Sequence, residues 1–518
     1  MNYGIIPFDR YPSLPPLFLD FLKGSPHYPD RPTLDAARER GKELLGQKSV
    51  LAAADFRWRH PEAEKMAQDL AAGRAVAVVA GHQVGLFTGP QYTVTKAFDA
   101  IRVARELRDR GLPAVPVFYA LTDDHDLEEV ARTARPGPEG PEILILEGAD
   151  RANRRPVGPL PIPERVTEIV QAFRADARTP EAAEILEAFA RRSAPGTTYG
   201  NAFIETLLDL VDEPLLVADP LVERGRAAAA DLMRQSSEQR EKIRETLAAI
   251  EEAIRRDNRE VPAPHRPGTF CFFLVAGGER RRIEDIPQAL GQISSEGAWV
   301  SADVLTRPVL KSFLLPMAAS ILGPAEIAYH AQSLPLFPLL GVRPPVLMPR
   351  SHIVLLGPAE RRAAEALGIA PENLLKTRER ETTPTPGAQR MDSLSRETDQ
   401  ELETLAASLQ ELDPTLEGAL ETTRRKVAYQ MGQLAERIRK AAERKDEVRE
   451  KRLRKLETMV RPGGTAAERL YPPLVSLLAY GRRAIDAIRS AAIGSLEGGV
   501  VADIDATGAE KTEEAHAG

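Results

Sequence analysis

The chain has 518 residues, 43% of them hydrophobic and 28% charged, with a formal net charge of −7. That length allows one large core with appended segments, and the acidic balance argues against general nucleic-acid binding. The single cysteine, Cys271, excludes an intramolecular disulfide framework and suits a reducing cytosol, and no stretch reaches the roughly 20 uninterrupted apolar residues of a membrane span.

The N-terminal lead carries Tyr11, Pro12, Phe18 and Tyr28. It lacks the basic start and unbroken apolar core of a signal peptide, so a cytoplasmic protein is expected, with the lead packed on the core. Residues 1–150 read as the first part of an α/β core. Their centre is Val76 to Glu129, where an apolar strand runs into a glycine loop, a helix, a second strand and an acidic cluster. In open α/β sheets ligands sit at the carboxyl ends of parallel strands. His82 and Gln83 leave the first strand and Asp123, Asp124, His125 and Asp126 leave the second, so both tips are expected in one crevice.

Gly81, Gly85, Thr88 and Gly89 form a loop that brings backbone close to a ligand, and the helix beginning near Gln91 offers N–H groups to an anion. His82 and Lys96 are expected to add positive charge at phosphate oxygens. His125 is expected to act as a base oriented by Asp124 or Asp126. Each residue also has a structural reading: a tight turn for the glycines, a solvated Lys96, and an N-cap cluster for a helix over Leu127–Arg135.

Residues 151–265 read as helical, with a short strand at Leu215–Ala218, and form either an inserted domain or the helical flank of the sheet. Residues 266–390 return to strands over Thr269–Ala276, Leu314–Leu322 and Pro345–Leu356, which would complete the sheet. Arg307 and Arg350, each beside a proline, are candidates for bidentate carboxylate binding. On a helix after Gly323, Glu326, Tyr329 and His330 share one face and suit an ammonium group or sugar hydroxyls. Cys271 sits in an apolar strand and reads as inert core. No spaced Cys and His set suggests zinc, so no tightly held metal is expected, although two groups of the acidic cluster would suit Mg²⁺ beside phosphates.

A linker is read at Glu381–Gly387, followed over 391–496 by coiled-coil and C-terminal helices. Val427, Met431, Leu434, Ile438, Ala441, Lys445 and Val448 keep alternating steps of four and three, a coiled-coil seam. With Asp413 as N-cap and Pro414 opening it, the long helix to Met459 would measure about 69 Å, and a homodimer through this rod is expected. Residues 424–455 hold 13 Lys and Arg against 5 Asp and Glu, a basic rod that reads first as a solvated face. Residues 497–518 read as a disordered tail.

Three blocks taken together carry a resemblance: Gly81-His82-Gln83-Val84-Gly85-Leu86-Phe87-Thr88-Gly89-Pro90, then Thr122 to Asp126, then Gly323 to Tyr329. With Val304–Pro308, Pro349–Ser351 and Gly463–Tyr480, the chain from about residue 8 to about 495 resembles the cysteine-adding enzyme family of bacillithiol biosynthesis. The resemblance implies a Rossmann-like core similar to nucleotidyltransferases and class I aminoacyl-tRNA synthetases, with helical insertions and a coiled coil used for dimerisation. It also implies a reaction joining L-cysteine to the amine of glucosaminyl-malate. His82 departs from the family block, where a glutamine is expected.

The chemistry of such a reaction sets demands of its own. A free carboxylate does not acylate an amine at a useful rate, so activation by ATP is expected, with ATP or ADP as the bound nucleotide. The protein then has to orient the acyl carbon, stabilise phosphate charge and accept a proton. Two other classes fit the same sequence: a synthetase-like RNA-binding protein gripping through the basic rod, and a noncatalytic dimeric scaffold that retains a nucleotide-sized pocket.

Overall fold

The computed structural model describes residues 2–146, 154–265, 270–295, 297–376, 386–412, 416–491 and 498–504. Its strands in chain order are β1 (Asn2–Pro7), β2 (Phe56–Arg57), β3 (Val76–Gln83), β4 (Ala114–Leu121), β5 (Arg132–Gly137), β6 (Gly140–Ile145), β7 (Leu216–Ala218), β8 (Phe272–Ala276), β9 (Glu279–Arg282), β10 (Trp299–Ala302), β11 (Met317–Leu322), β12 (Val346–Pro349), β13 (Ile353–Leu356) and β14 (Gly498–Asp503). The chain divides into two compact units, one of residues 1–361, 370–376 and 458–518, the other of 362–369 and 377–457. Among the described residues, no helix is long and apolar enough to cross a membrane.

The first unit is built on a six-stranded sheet in the order β12-β11-β3-β4-β7-β2, parallel except at the β2 edge. Its five parallel strands run β7-β4-β3-β11-β12 in space, which is the 3-2-1-4-5 order of a Rossmann-like sheet. The direction of winding reverses between β3 and β11, and in such sheets ligands bind at that reversal, beyond the carboxyl ends of the strands.

Side chains alternate across each strand, and both faces are covered. Val76, Val78, Ala80 and Phe118 join one apolar cluster with the helix Tyr92–Asp109. Ala77, Val79, Val117 and Tyr119 join the other, with the helices Glu62–Ala71, Glu223–Glu238 and Arg307–Leu314. This is why β3 reads as an unbroken apolar run. The helices of 151–265 are therefore a flank of this sheet, which β7 enters.

Several expectations are corrected by the elements themselves. Pro345–Leu356 is two strands in different sheets, because Arg350 and Ser351 turn the chain between β12 and β13. The run Thr269–Ala276 contributes β8 to a separate antiparallel sheet, β10-β8-β9, instead of the main one. The helix expected over Leu127–Arg135 ends at Val130 and passes into the β5–β6 hairpin.

The tail expected to be disordered from 497 contributes a strand instead: β14 lies between β1 and β13, with Val500, Val501 and Ala502 buried, and residues 505–518 lie outside the described residues. The segment after Gly464 also joins the core unit, burying Tyr471, Leu474 and Ile488 in the same cluster as Phe118.

A buried polar knot ties the N-terminal lead to this C-terminal segment. Glu468 accepts from Arg350 through both oxygens (2.8 and 3.0 Å), from the Tyr11 hydroxyl (2.8 Å) and from the Ile353 N–H (2.9 Å). Glu468 is 1% exposed and Arg350 2%. Arg350 is thus spent on Glu468 and stacks over Tyr92 at 4.6 Å; it is not available to a substrate carboxylate as expected from sequence.

In the second unit the helices Pro386–Leu412 and Leu416–Val460 run antiparallel, with Arg424 on Asp399 and Arg439 on Asp392. Asp413 and Pro414 lie outside the described residues, as does most of the linker at Glu381–Gly387. The face packed within the chain buries Leu420 and Ala435, while Leu434 and Val448 are 47% and 50% exposed. Of the expected seam, Val427, Met431 and Ile438 are half-buried, while Leu434, Ala441 and Val448 are exposed.

Candidate active site

β3 and β4 end side by side, His82 paired with Ala120 and Gln83 with Leu121, so the two polar tips meet. The Gln83 amide lies 3.3 Å from Asp124 Oδ2, and with its oxygen and nitrogen exchanged it donates to Glu129 at 2.7 Å. Gly81 lies against β4 so closely that a Cβ there would stand 2.8 Å from the Tyr119 carbonyl oxygen. Beyond the tip the loop turns through Phe87, Thr88 and Gly89, all with positive φ, and a Cβ on Gly85 would strike Gly89 at 2.9 Å. The glycine spacing is thus set by a tight turn.

Polar groups of that turn and of the helix start have partners within the chain. Thr88 is fully buried with its hydroxyl on the Phe87 carbonyl. At the start of the following helix the Gln91 N–H donates to the Tyr471 carbonyl and the Thr93 N–H to that of Pro90. Lys96 is buried, not solvated: it donates to the Gly81 carbonyl at 3.0 Å and pairs with Glu326, which also accepts from the Gly323 N–H. Gly85 and Gly89 thus shape the turn, Gly81 fits against β4, and Thr88 and Lys96 have partners within the chain.

The Lys96–Glu326 pair crosses the winding reversal between β3 and β11. Burial works against the Glu326 carboxylate, but Lys96 and Lys311 outweigh it and hold the group down to about 2. Burial pushes Lys311 itself down to about 8, partly offset by Glu326. Tyr329 stacks on His330 at 5.1 Å, and His330 Nδ1 is 2.7 Å from the Glu326 carbonyl. Glu326 and His330 thus serve their own helix and the reversal point, while the Tyr329 phenol lies within electrostatic reach of Arg307 and Asp124.

His82 is a neutral group. Burial, then Lys96, pushes its imidazole down to about 4. Nδ1 lies 3.0 Å from the Gln83 carbonyl oxygen and Nε2 3.0 Å from the Tyr92 hydroxyl, so the ring offers one donor and one acceptor, as a glutamine amide would. It does not supply the positive charge expected from sequence. His82→Gln is expected to change unfolding free energy by less than about 1 kcal/mol, whereas His82→Leu, which strands the Tyr92 hydroxyl, is expected to cost about 1–3 kcal/mol in urea denaturation.

The chemistry-bearing cluster gathers at the β4 tip. A cavity of about 300 Å³ opens there, lined by Asp124, His265, Phe273, Arg280, Arg282 and Arg307 among others. Asp124 pairs with Arg307 at 3.3 Å through Oδ2 and with Arg280 at 3.3 Å through Oδ1, which also accepts from the His125 N–H at 2.8 Å. Burial opposes its charge, yet Arg307, His125 and Arg280 together hold Asp124 well below the usual carboxylate range. Burial also brings Arg280 down to about 10, still charged at neutral pH. Asp123 accepts from Ser301 at 2.5 Å, while its Oδ1 and the Nε and Nη2 of Arg307 are buried with no hydrogen-bond partner among the described residues.

The structure thus brings together Gln83, Asp124, His125 and Arg307 of the expected set. Asp126 is exposed and caps the short helix Leu127–Val130 by accepting from the Glu129 N–H, so it does not orient His125. Arg280, Arg282 and Lys311 were not expected. The arginines lie after a Gly277-Gly278 turn, and period-two alternation along β9 puts Arg280 and Arg282 on one face. That face meets Phe273, with the guanidinium carbons 3.7 and 4.9 Å from its ring centre. Among the described residues, no group of three or more His, Cys, Asp or Glu is placed to hold a metal ion.

Two family models match the chain: "Bacillithiol biosynthesis BshC, N-terminal Rossmann-like domain" over residues 33–351, and "Bacillithiol biosynthesis BshC, C-terminal coiled-coil domain" over residues 364–494. Curated relatives sharing the name "Putative cysteine ligase BshC" come from Solibacter usitatus, 29% identical, covering 91% of this chain and 94% of the relative, and from Salinibacter ruber, 27% identical, covering 92% and 94%. A third, from Chlorobaculum tepidum, is 28% identical over 78% of each chain. With both halves matched in order, and with the sheet whose winding reverses beside the β3 tip, the chain belongs to the bacillithiol biosynthesis BshC family.

Proposed function

We propose that the chain is a cytoplasmic cysteine ligase that joins the carboxyl group of L-cysteine to the amine of glucosaminyl-malate. The observation that carries this reading is the meeting of Gln83, Asp124, His125, Arg280 and Arg307 at the carboxyl edge of the sheet, beside a cavity of about 300 Å³. That size is at the low end for small-molecule pockets. Arg307 and Arg282, with Arg280 behind them, suit the malate carboxylates, since a planar guanidinium matches a carboxylate in two-point contact.

Amide formation from a carboxylate and a mostly protonated amine needs a better leaving group on the acyl carbon. ATP as co-substrate, with Mg²⁺ carried on its phosphates, supplies one. The protein's own part is orientation and charge stabilisation around the acyl oxygen. The exposed Leu434 and Val448 stand two heptads apart on the long helix and support a homodimer through that unit.

The test is to incubate the purified chain with L-cysteine, glucosaminyl-malate and ATP with Mg²⁺, and to follow the thiol product by mass spectrometry. A product carrying one cysteinyl group on the sugar amine is expected. Its absence with folded protein, across nucleotides and divalent ions, would contradict the proposal.

A further inference from the structure

Lys311 is a buried cation with no partner of its own. It is 8% exposed. Among the described residues its ammonium makes no hydrogen bond and has no carboxylate within ion-pair distance, and it stands 5.2 Å from the centre of the Tyr119 ring. The charged groups that act on it most are Glu326, Arg307, Lys96 and Asp123. Both anions are committed elsewhere: Glu326 to Lys96 and the Gly323 N–H, Asp123 to Ser301 at 2.5 Å and to Arg307 at 3.8 Å. Asp124 is held by Arg280 and Arg307. Asp303, which acts on Arg307, and Asp219, which acts on Asp123, are engaged by their own surroundings, Asp303 by the Leu305 and Thr306 N–H groups and Asp219 by Thr122 and the Leu221 N–H. Lys311 is the cation left over.

An ammonium brings three donors and no acceptor, and a buried charge without a hydrogen-bonded counterpart is costly to keep. What completes it is an acceptor that carries negative charge. Space for one is left on the β3 side, where Gly81 faces the ammonium and a Cβ would stand 3.4 Å from Nζ. A second donor comes from the helix Pro324–Ser333. The Tyr329 hydroxyl has no hydrogen-bond partner among the described residues, and it shares Glu326 and Arg307 with Lys311 as the charges that act on it.

Arg307 and Lys311 lie four residues apart on one helix, hence on one face and about 6 Å apart along its axis. Burial deepens in the same direction, from the exposed Arg282 through the half-buried Arg307 to Lys311. The outer two suit the carboxylates of the acceptor. A carboxylate that reaches the inner position has to belong to a smaller molecule.

We infer that Lys311, with the Tyr329 hydroxyl, forms the carboxylate-binding subsite for the acyl donor, a small amino acid, one helical turn inward from the arginines that take the acceptor. The identity of that carboxylate rests on the proposed ligase function, while the partnerless ammonium stands on the geometry. Held there, the acyl group lies in the same crevice as the acceptor, as two groups about to be joined must.

The test is titration calorimetry on the full chain with L-cysteine and with cysteamine, the same molecule without its carboxylate. The wild type is expected to bind L-cysteine about thirtyfold more tightly than cysteamine, the scale of hydrogen bonds to a charged group. Lys311→Met should remove that ratio by weakening L-cysteine alone, and Tyr329→Phe should reduce it about fivefold. A cation that served only the fold would move both ligands together. Glucosaminyl-malate should bind Lys311→Met within twofold of wild type.

No L-cysteine binding by folded wild type, an unchanged ratio in Lys311→Met, an equal loss of both ligands, or a loss confined to glucosaminyl-malate would each overturn the inference. If Lys311→Met does not fold, the ratio in Tyr329→Phe decides. If L-cysteine binding depends on Lys311 but the wild type makes no thiol product with ATP and acceptor, the ligase reading fails and the subsite stands.

Discussion

Asp124→Asn is expected to lower the rate of thiol formation by about a thousandfold and to destabilise the chain at the same time. The carboxylate faces the guanidiniums of Arg280 and Arg307, whose side chains are 3% and 11% exposed. An amide of the same shape leaves Arg280 without its paired anion and Arg307 with only Asp123 at 3.8 Å, and turns an N–H₂ group toward one of them. Removing one partner of a buried charge set typically costs about 3–5 kcal/mol, because the desolvation of the remaining charges is no longer compensated. The rate effect follows from the same loss: His125 and Arg307 are held by Asp124, and misplacing an oriented donor costs about two to three orders of magnitude in rate. Steady-state assays with urea denaturation separate the two effects. A variant that keeps its rate within tenfold of wild type would remove Asp124 from the site.

The second large effect is expected far from that cavity. Glu468→Ala should lower unfolding free energy by about 3–5 kcal/mol, since it leaves Arg350 charged and buried and strips partners from the Tyr11 hydroxyl and the Ile353 N–H. The double variant Arg350→Met with Glu468→Leu should lose less than Glu468→Ala alone, because no charge is then stranded. Burial opposes the Glu468 carboxylate, but Arg350 and then His352 hold it well below its ordinary value of 4.5, and Glu326 is likewise held down to about 2. A carboxyl depressed on folding stabilises fully above its unfolded pKa, and that contribution is lost as pH falls through the folded value. Urea midpoints should therefore be flat at neutral pH and fall steadily below about pH 4.5. In Glu468→Ala that fall should be shallower.

Much of the core was legible because the physics there is local. A parallel strand buried on both faces has to be apolar throughout, and Val76–Ala80 and Ala114–Ala120 have that pattern, with the polar residues that follow marking the strand ends. The tips at Gln83 and Asp124 follow from that pattern. The partners of Asp124 do not: Arg280 arrives from a hairpin more than 150 residues later, and nothing in its charged run says which arginine turns inward until the register of β8 and β9 is known. Arg350 failed in the opposite sense. Its proline and its place after a strand suit a ligand, but the matching Glu468 lies in a C-terminal segment with no visible tie to it. β14 was missed because Gly498 and Gly499 and the short length of the strand resemble a tail; its stability comes from pairing with both β1 and β13.

The most direct measurement is a crystal structure of the chain soaked with glucosaminyl-malate and L-cysteine. The malate carboxylates are expected against Arg307 and Arg282, with the sugar amine turned toward His125 and Gln83 at the β4 tip. Acceptor density elsewhere on the molecule, with the cavity beside Asp124 empty, would contradict it.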